Sequence, residues 1–306
     1  MRIGIVGAGG TGGYFGGKLA AAGNEVTFVA RGRHGEAMRQ NGLKVLSPGG
    51  DLLVEHPVVV ERPEDLGPQE IVLDCVKLWD LDETARGLAR SRIGDAVVLG
   101  VQNGVESAAI LQQHLPAAQV AQGIAYIPAE IASPGVVKHN GGFAGLSFGA
   151  LQPAQEPVLD RLIAACKAAG FDARKSEKIE RDVWLKFLML QALAGATASR
   201  RTTVGALRET DEGRALLRGL VNEAVALGKA LKADLPEDAA ERTLKRLEQE
   251  LPAPMRASMA IDLERGNRLE LPWLNGYVAR RSAELGLVAP FSARVVETLE
   301  PFVRGR

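Results

Sequence analysis

Six residues near the start of the chain do most to limit what it can fold into. Gly7-Ala8-Gly9-Gly10-Thr11-Gly12 matches the pattern GxGxxG. It follows an apolar, β-branched run at residues 2–6 and opens a helical stretch at 14–22 that Gly23-Asn24 ends. A strand, a tight glycine turn and a helix, in that order, form the setting in which this pattern binds a dinucleotide. Gly7 makes the turn, Gly9 lets the backbone approach a pyrophosphate, and Gly12 lets the helix pack on the strand. The free N–H groups of the helix start then face the phosphates. A glycine-rich turn with no ligand is the plainer alternative. A second strand roughly 20 residues on completes the βαβ setting and favours the nucleotide.

Short β-rich runs keep alternating with helical patterns through the first half. Residues 25–30, 71–76, 96–101 and 120–126 read as strands, and 81–89 as a helix. Residues 136–140 and 144–149 flank Gly141-Gly142-Phe143 and read as a hairpin. Alternation of this kind implies βαβ units and a mostly parallel sheet. From residue 179 the pattern is helical almost to the end. Leu216, Leu217, Leu220, Val221, Ala224 and Val225 recur at helical spacing, residues 236–251 form a charged helix stopped by Pro252 and Pro254, and 275–285 form another. The expected fold is α/β, an N-terminal Rossmann-type doubly wound sheet with an all-helical C-terminal domain. The expected boundaries are 1–176 for nucleotide binding and 177–306 for substrate and catalysis.

Composition narrows the class of function. Lys plus Arg total 37 and Asp plus Glu total 37, with no basic run, which argues against a nucleic-acid or anionic-membrane partner. The two cysteines, Cys75 and Cys166, lie in apolar stretches and form no CxxC, so neither a disulfide scaffold nor a zinc site is expected, and a reduced, cytoplasmic setting fits. The least polar stretch, 183–198, contains Lys186 and Gln191 and falls short of the ~18 residues of a membrane span. An apolar helix face can serve as core or as a homodimer contact.

The end of the second strand selects the nucleotide. An NAD site needs an acid there for the ribose 2′-hydroxyl. This strand ends in Arg31, with Arg33 nearby. A guanidinium matches a 2′-phosphate in charge and geometry, so NADP is expected over NAD, the alternative being a solvated arginine. Lys186 sits amid Trp184, Leu185, Phe187, Leu188 and Met189. A charge in such a run either serves chemistry or snorkels out on a buried stem. Lys77 and Asn103 each follow a predicted parallel strand, the edge where ligands of doubly wound sheets bind.

With these residues in place, the sequence resembles the ketopantoate reductase (2-dehydropantoate 2-reductase) family over nearly its whole length. The resemblance rests on the glycine turn with Arg31, then Cys75-Val76-Lys77, Gln102-Asn103-Gly104, Ile127-Pro128-Ala129, Pro134-Gly135-Val136-Val137, Trp184-x-Lys186, and Ser258-Met259 through Glu270 to Leu274-Asn275-Gly276. It implies NADPH-dependent reduction of a 2-oxo acid, ketopantoate to pantoate, on the route to pantothenate and coenzyme A. It implies Lys186 as general acid, with Glu270 near it and the nicotinamide ribose. It also implies Asn103 between nicotinamide and substrate, Ser258 on the substrate carboxylate, and Lys77 and a backbone contact from Ala129 on the cofactor side. Bottom-up, reduction of a ketone leaves an alkoxide that needs a proton, and a lysine in a partly dry site can polarise the carbonyl and then donate.

The chain also departs from the family. Asparagines often stand four and eight residues after the catalytic lysine, on one helix face; here Leu190 and Ala194 stand there. Ala257 precedes Ser258, and Pro272 replaces a common acid. These changes imply a less polar pocket and altered substrate recognition, with ketopantoate or a close 2-oxo acid variant as the substrate. Two rival readings are a β-hydroxyacid or 6-phosphogluconate-type dehydrogenase, and a non-catalytic NADP-binding sensor. The Asn103-Gly104 and 258–270 segments argue against the first, and Lys186 with Glu270 against the second.

Overall fold

The computed structural model describes residues 1–306. Twelve strands run in chain order: β1 (Arg2–Val6), β2 (Glu25–Val29), β3 (Leu43–Leu46), β4 (Leu52–Val54), β5 (Val58–Val60), β6 (Ile71–Asp74), β7 (Val97–Gly100), β8 (Val120–Tyr126), β9 (Ala129–Ser133), β10 (Val136–His139), β11 (Gly145–Gly149) and β12 (Asp172–Lys175). Five helices accompany them: α1 (Gly10–Ala21), α2 (Gly32–Asn41), α3 (Leu78–Arg90), α4 (Ser107–Gln112) and α5 (Glu156–Ala168). Seven more follow: α6 (Ile179–Ser199), α7 (Val204–Glu209), α8 (Asp211–Ala230), α9 (Ala239–Lys245), α10 (Ser258–Arg265), α11 (Asn275–Glu284) and α12 (Pro290–Leu299). The chain is an α/β protein with a doubly wound sheet in its first part and helices in its last. It forms two compact units, Met1–Gln102 with Glu106–Ile179, and Asn103–Val105 with Glu180–Arg306.

The first unit is built on an eight-stranded sheet in the order β12-β11-β8-β7-β6-β1-β2-β5. β1 pairs in parallel with β2 on one side and β6 on the other, so the strand order reverses beside β1. That switch point is where open α/β sheets bind ligands, outside the carboxyl ends of their strands. Ile3, Ile5, Leu73 and Leu99 are fully buried, as central parallel strands covered on both faces require. Phe15 and Leu19 of α1 join them with Phe28 and Phe148.

A second sheet, β4-β3-β10-β9, lies in the same unit and has no counterpart in the sequence reading. It also overturns the expected hairpin. β10 pairs with β9 and β3, whereas β11 pairs with β8 and β12. The two runs belong to different sheets because each already has two partners. Gly141 and Gly142, at φ +87° and +80°, carry the chain from one sheet to the other.

The second unit is helical. Leu217, Leu220 and Val221 of α8 pack with Phe187 and Leu188 of α6, Leu247 and Val278. Thr210 caps α8 by accepting from Gly213 N–H at 3.0 Å, and Asp211 and Glu212 in the first turn suit the helix dipole. Pro252 and Pro254 do follow the charged helix, whose last turn widens into a π-turn over Arg246–Glu250. No helix is long and apolar enough to cross a membrane, and no group of three His, Cys, Asp or Glu side chains could hold a metal ion.

Candidate active site

In the first unit the glycine turn links the carboxyl end of β1 to α1. Gly7 adopts φ +85°, a conformation that strains an L-residue, and a Cβ there would lie 2.9 Å from Val76 Cγ1. A Cβ on Gly10 would strike the Ala129 backbone carbonyl, and one on Gly12 the Gly7 carbonyl. The fold thus brings Ala129 against the turn, and both glycines are required by packing. Gly9 differs: no heavy atom lies within 4 Å of where its Cβ would stand. It is the N-cap of α1, with no side chain capping the helix start. Open space beside uncapped N–H groups at the switch point fits a dinucleotide pyrophosphate. Gly7 to Gly12, Ala8 and Thr11 included, make up the turn and the first residues of α1 on either side of Gly9.

Arg31 is the N-cap of α2, directly beyond β2. Its side chain is 71% exposed and reaches Asp80 at 3.4 Å, a long, solvated contact that leaves the guanidinium accessible to a phosphate. Lys77 is the N-cap of α3 beyond β6, exposed, with Nζ 5.7 Å from the Trp79 ring centroid.

The second unit gathers three of the predicted residues. Lys186 Nζ donates to Asn103 Oδ1 at 2.9 Å. Asn103 Nδ2 donates to Glu270 Oε2 at 3.2 Å. The partners fix the amide's orientation, since an ammonium only donates and a carboxylate only accepts. Lys186 lies on α6 next to Phe187, which makes edge contacts with Trp184 and Tyr277 at 5.6 and 5.9 Å. Burial lowers the Lys186 pKa to about 8, and the Glu270 carboxylate opposes that shift. Glu270 is itself buried, at 3% exposure. The result is an ammonium close to neutral proton affinity, held by an amide and backed by a carboxylate. Such a group can donate a proton near pH 7.

Comparison with known proteins gives this arrangement its context. Residues 3–153 match ketopantoate reductase PanE/ApbA, and residues 178–302 match the ketopantoate reductase PanE/ApbA C terminal family. The chain belongs to the ketopantoate reductase family. It is 32% identical over 305 residues to a 2-dehydropantoate 2-reductase of Halobacterium salinarum, covering 99% of this chain and 98% of that one. It is 30% identical over 309 residues to a 2-dehydropantoate 2-reductase of Archaeoglobus fulgidus, covering 100% and 97%. A PanE/ApbA family ketopantoate reductase structure from Ralstonia eutropha superposes with a TM-score of 0.88 at 30% identity, covering 99% and 98%. Ketopantoate reductases are NADP-dependent oxidoreductases acting on a CH–OH group, and this chain is an oxidoreductase of that kind.

The remaining residues expected of a ketopantoate reductase fall as follows. Ser258 is exposed and is the first residue of α10, with Ala257 as the N-cap, so its hydroxyl is not committed to capping. Leu190 is half-buried one turn beyond Lys186, and Ala194 is fully buried. Gln191, the nearest amide, is fully buried and engaged elsewhere. Its Nε2 donates to Leu220 O at 2.9 Å, and its Oε1 accepts from Asn275 Nδ2 at 3.0 Å. It joins α6 to the other helices and is not available to a substrate.

Sequence reasoning passed over Asp74. This fully buried carboxylate accepts from Thr84 Oγ1 at 3.0 Å, Gln102 Nε2 at 3.1 Å and Val76 N–H at 3.2 Å. Burial raises its pKa to about 7 against those three hydrogen bonds. It ties the ends of β6 and β7 together just before Lys77 and Asn103. An acid closing the apolar run Ile71-Val72-Leu73 was the available signal.

Proposed function

We propose that this ketopantoate reductase relative reduces a 2-oxo acid to the 2-hydroxy acid with NADPH, with 2-dehydropantoate to pantoate as its first candidate reaction. The observation that carries the reading is the chain Lys186–Asn103–Glu270. Names and sequence identities of the relatives support the substrate class. Gly7, Ala8, Gly9, Gly10, Thr11 and Gly12 would hold the pyrophosphate, Arg31 the 2′-phosphate, and Lys77 and the Ala129 backbone would contribute beside them. NADPH, when bound, supplies the hydride for the carbonyl carbon.

The chain's own residues handle the oxygen. The Lys186 ammonium hydrogen-bonds the carbonyl oxygen and draws its electrons, then gives that oxygen a proton as negative charge develops there. Asn103 holds the ammonium through Oδ1, which limits its rotamers before substrate arrives. Glu270 keeps the lysine protonated despite burial. The free Ser258 hydroxyl is assigned to the substrate carboxylate.

Leu190 and Ala194 favour a second substrate, a 2-oxo acid with a less polar side group. Neither side chain can hydrogen-bond a substrate hydroxyl, and an unmet hydroxyl weakens binding. The experiment is an NADPH-oxidation assay over 2-dehydropantoate and 2-oxo acids bearing plain alkyl groups. Turnover on any of them supports the reductase. A KM for 2-dehydropantoate in the ordinary micromolar range sets aside the less polar pocket. NADPH binding without turnover on every 2-oxo acid supports a sensor instead.

A further inference from the structure

We infer that His34 is a positioning residue of the nucleotide site, a two-ended strut that orients the Ala8–Gly9 peptide. The inference rests on the nucleotide reading above and extends it to a residue outside the turn. Gly135 N–H donates to His34 Nδ1 at 3.1 Å. That ring nitrogen therefore carries the lone pair, and Nε2 carries the proton. Nε2–H then donates to the Ala8 carbonyl at 2.9 Å. Burial lowers the His34 pKa, in keeping with the neutral tautomer that both bonds need.

Each end of the strut is anchored. The Gly135 carbonyl accepts from Lys44 N–H at 2.9 Å, so the β9–β10 turn is tied to β3. His34 is the third residue of α2, and Arg31 is the N-cap of that helix. On the nucleotide side, Gly7 and Ala8 N–H groups donate to Val29 O at 3.2 and 3.4 Å. The Ala8 carbonyl itself is met by His34.

A trans peptide is planar, with its carbonyl and the following N–H pointing opposite ways. Holding the Ala8 carbonyl on the His34 side therefore turns the Gly9 N–H to the other side. No heavy atom lies within 4 Å of where a Gly9 Cβ would stand. The same ring is carried on the first turn of α2, whose N-cap is Arg31. One side chain thus registers the pyrophosphate turn with the residue assigned to the 2′-phosphate. Pro134-Gly135, conspicuous in the sequence and idle in the chemistry, gains a role: Gly135, at φ +77°, presents its N–H to the histidine.

The test is titration of NADPH by fluorescence into wild type, His34→Phe, His34→Asn and His34→Gln, with circular-dichroism melts and steady-state kinetics beside it. Phe keeps a ring and loses both bonds. Asn places an acceptor where Nδ1 stands and stops short of Ala8. Gln places an amide N–H where Nε2 stands. His34→Phe and His34→Asn should weaken NADPH by about tenfold, the worth of one well-placed hydrogen bond. The loss should fall on Kd and on KM for NADPH while kcat at saturation changes little, and His34→Gln should recover most of the affinity. Folded His34→Phe with wild-type NADPH affinity overturns the inference, as do equal losses in Asn and Gln. If Phe does not fold, the Asn and Gln pair decides. Wild type that binds no dinucleotide overturns the nucleotide reading and this inference together, whereas tight wild-type binding with indifferent variants overturns this inference alone.

Discussion

Lys186 is pulled in two directions, and the balance makes a measurable pH limb. A proton donor must be protonated, so turnover should fall as pH rises through about 8. Glu270→Gln removes the charge that opposes desolvation. The fall should then begin at lower pH, read from the pH dependence of kcat; an unmoved limb would separate Glu270 from the lysine. The same depression has a stability sign. The folded state favours neutral lysine, so the ammonium destabilises the fold, and stability should be gained as pH rises from about 8 toward the ordinary lysine value of 10.5. Lys186→Met should abolish that gain of stability above pH 8, read from melts across pH, while losing turnover. At this scale the sequence named Lys186, Asn103 and Glu270 through resemblance, because the motifs that carry them are ordered along the chain. It could not supply their bonding, since Asn103 lies 83 positions from Lys186 and 167 from Glu270. Asp74 and His34 were missed because their partners are backbone groups, a hydroxyl and an amide that no local pattern announces.

Glycine content in α1 separates packing from ligand contact. Alanine is the better helix former by about 1 kcal/mol. Gly10→Ala should nevertheless lower the melting temperature of the protein without nucleotide, because its methyl would strike the Ala129 carbonyl. Gly9→Ala meets nothing and should leave that melting temperature nearly unchanged, while weakening NADPH in a binding titration. Equal effects in both assays would remove the distinction. Element-level legibility followed periodicity. β1, β2, β6, β7 and β8 were readable as apolar runs, and α8 as an amphipathic stripe. β4 and β5 were not, being three residues each and partly exposed. The false hairpin arose because adjacency in sequence with glycines between is the usual sign of pairing, and here two sheets competed for the strands.

Over the whole molecule, the change from βα alternation to helices was written in the sequence, whereas the grouping of Asn103–Val105 with the helical unit was not. A three-residue excursion leaves no compositional trace. Arg31→Ala should cost NADPH about tenfold or more in affinity and leave NADH nearly unchanged, since only the 2′-phosphate needs a guanidinium. Leu190→Asn, which restores an amide one turn beyond Lys186, should lower KM for 2-dehydropantoate relative to alkyl 2-oxo acids in the same assay. The most direct measurement is steady-state NADPH oxidation with 2-oxo acids by wild type and Lys186→Ala, with NADPH binding titrated in parallel. The expected result is turnover by wild type and a kcat lower by about a hundredfold or more in Lys186→Ala, with NADPH affinity nearly preserved. Undiminished turnover in Lys186→Ala would contradict the assignment of the proton donor.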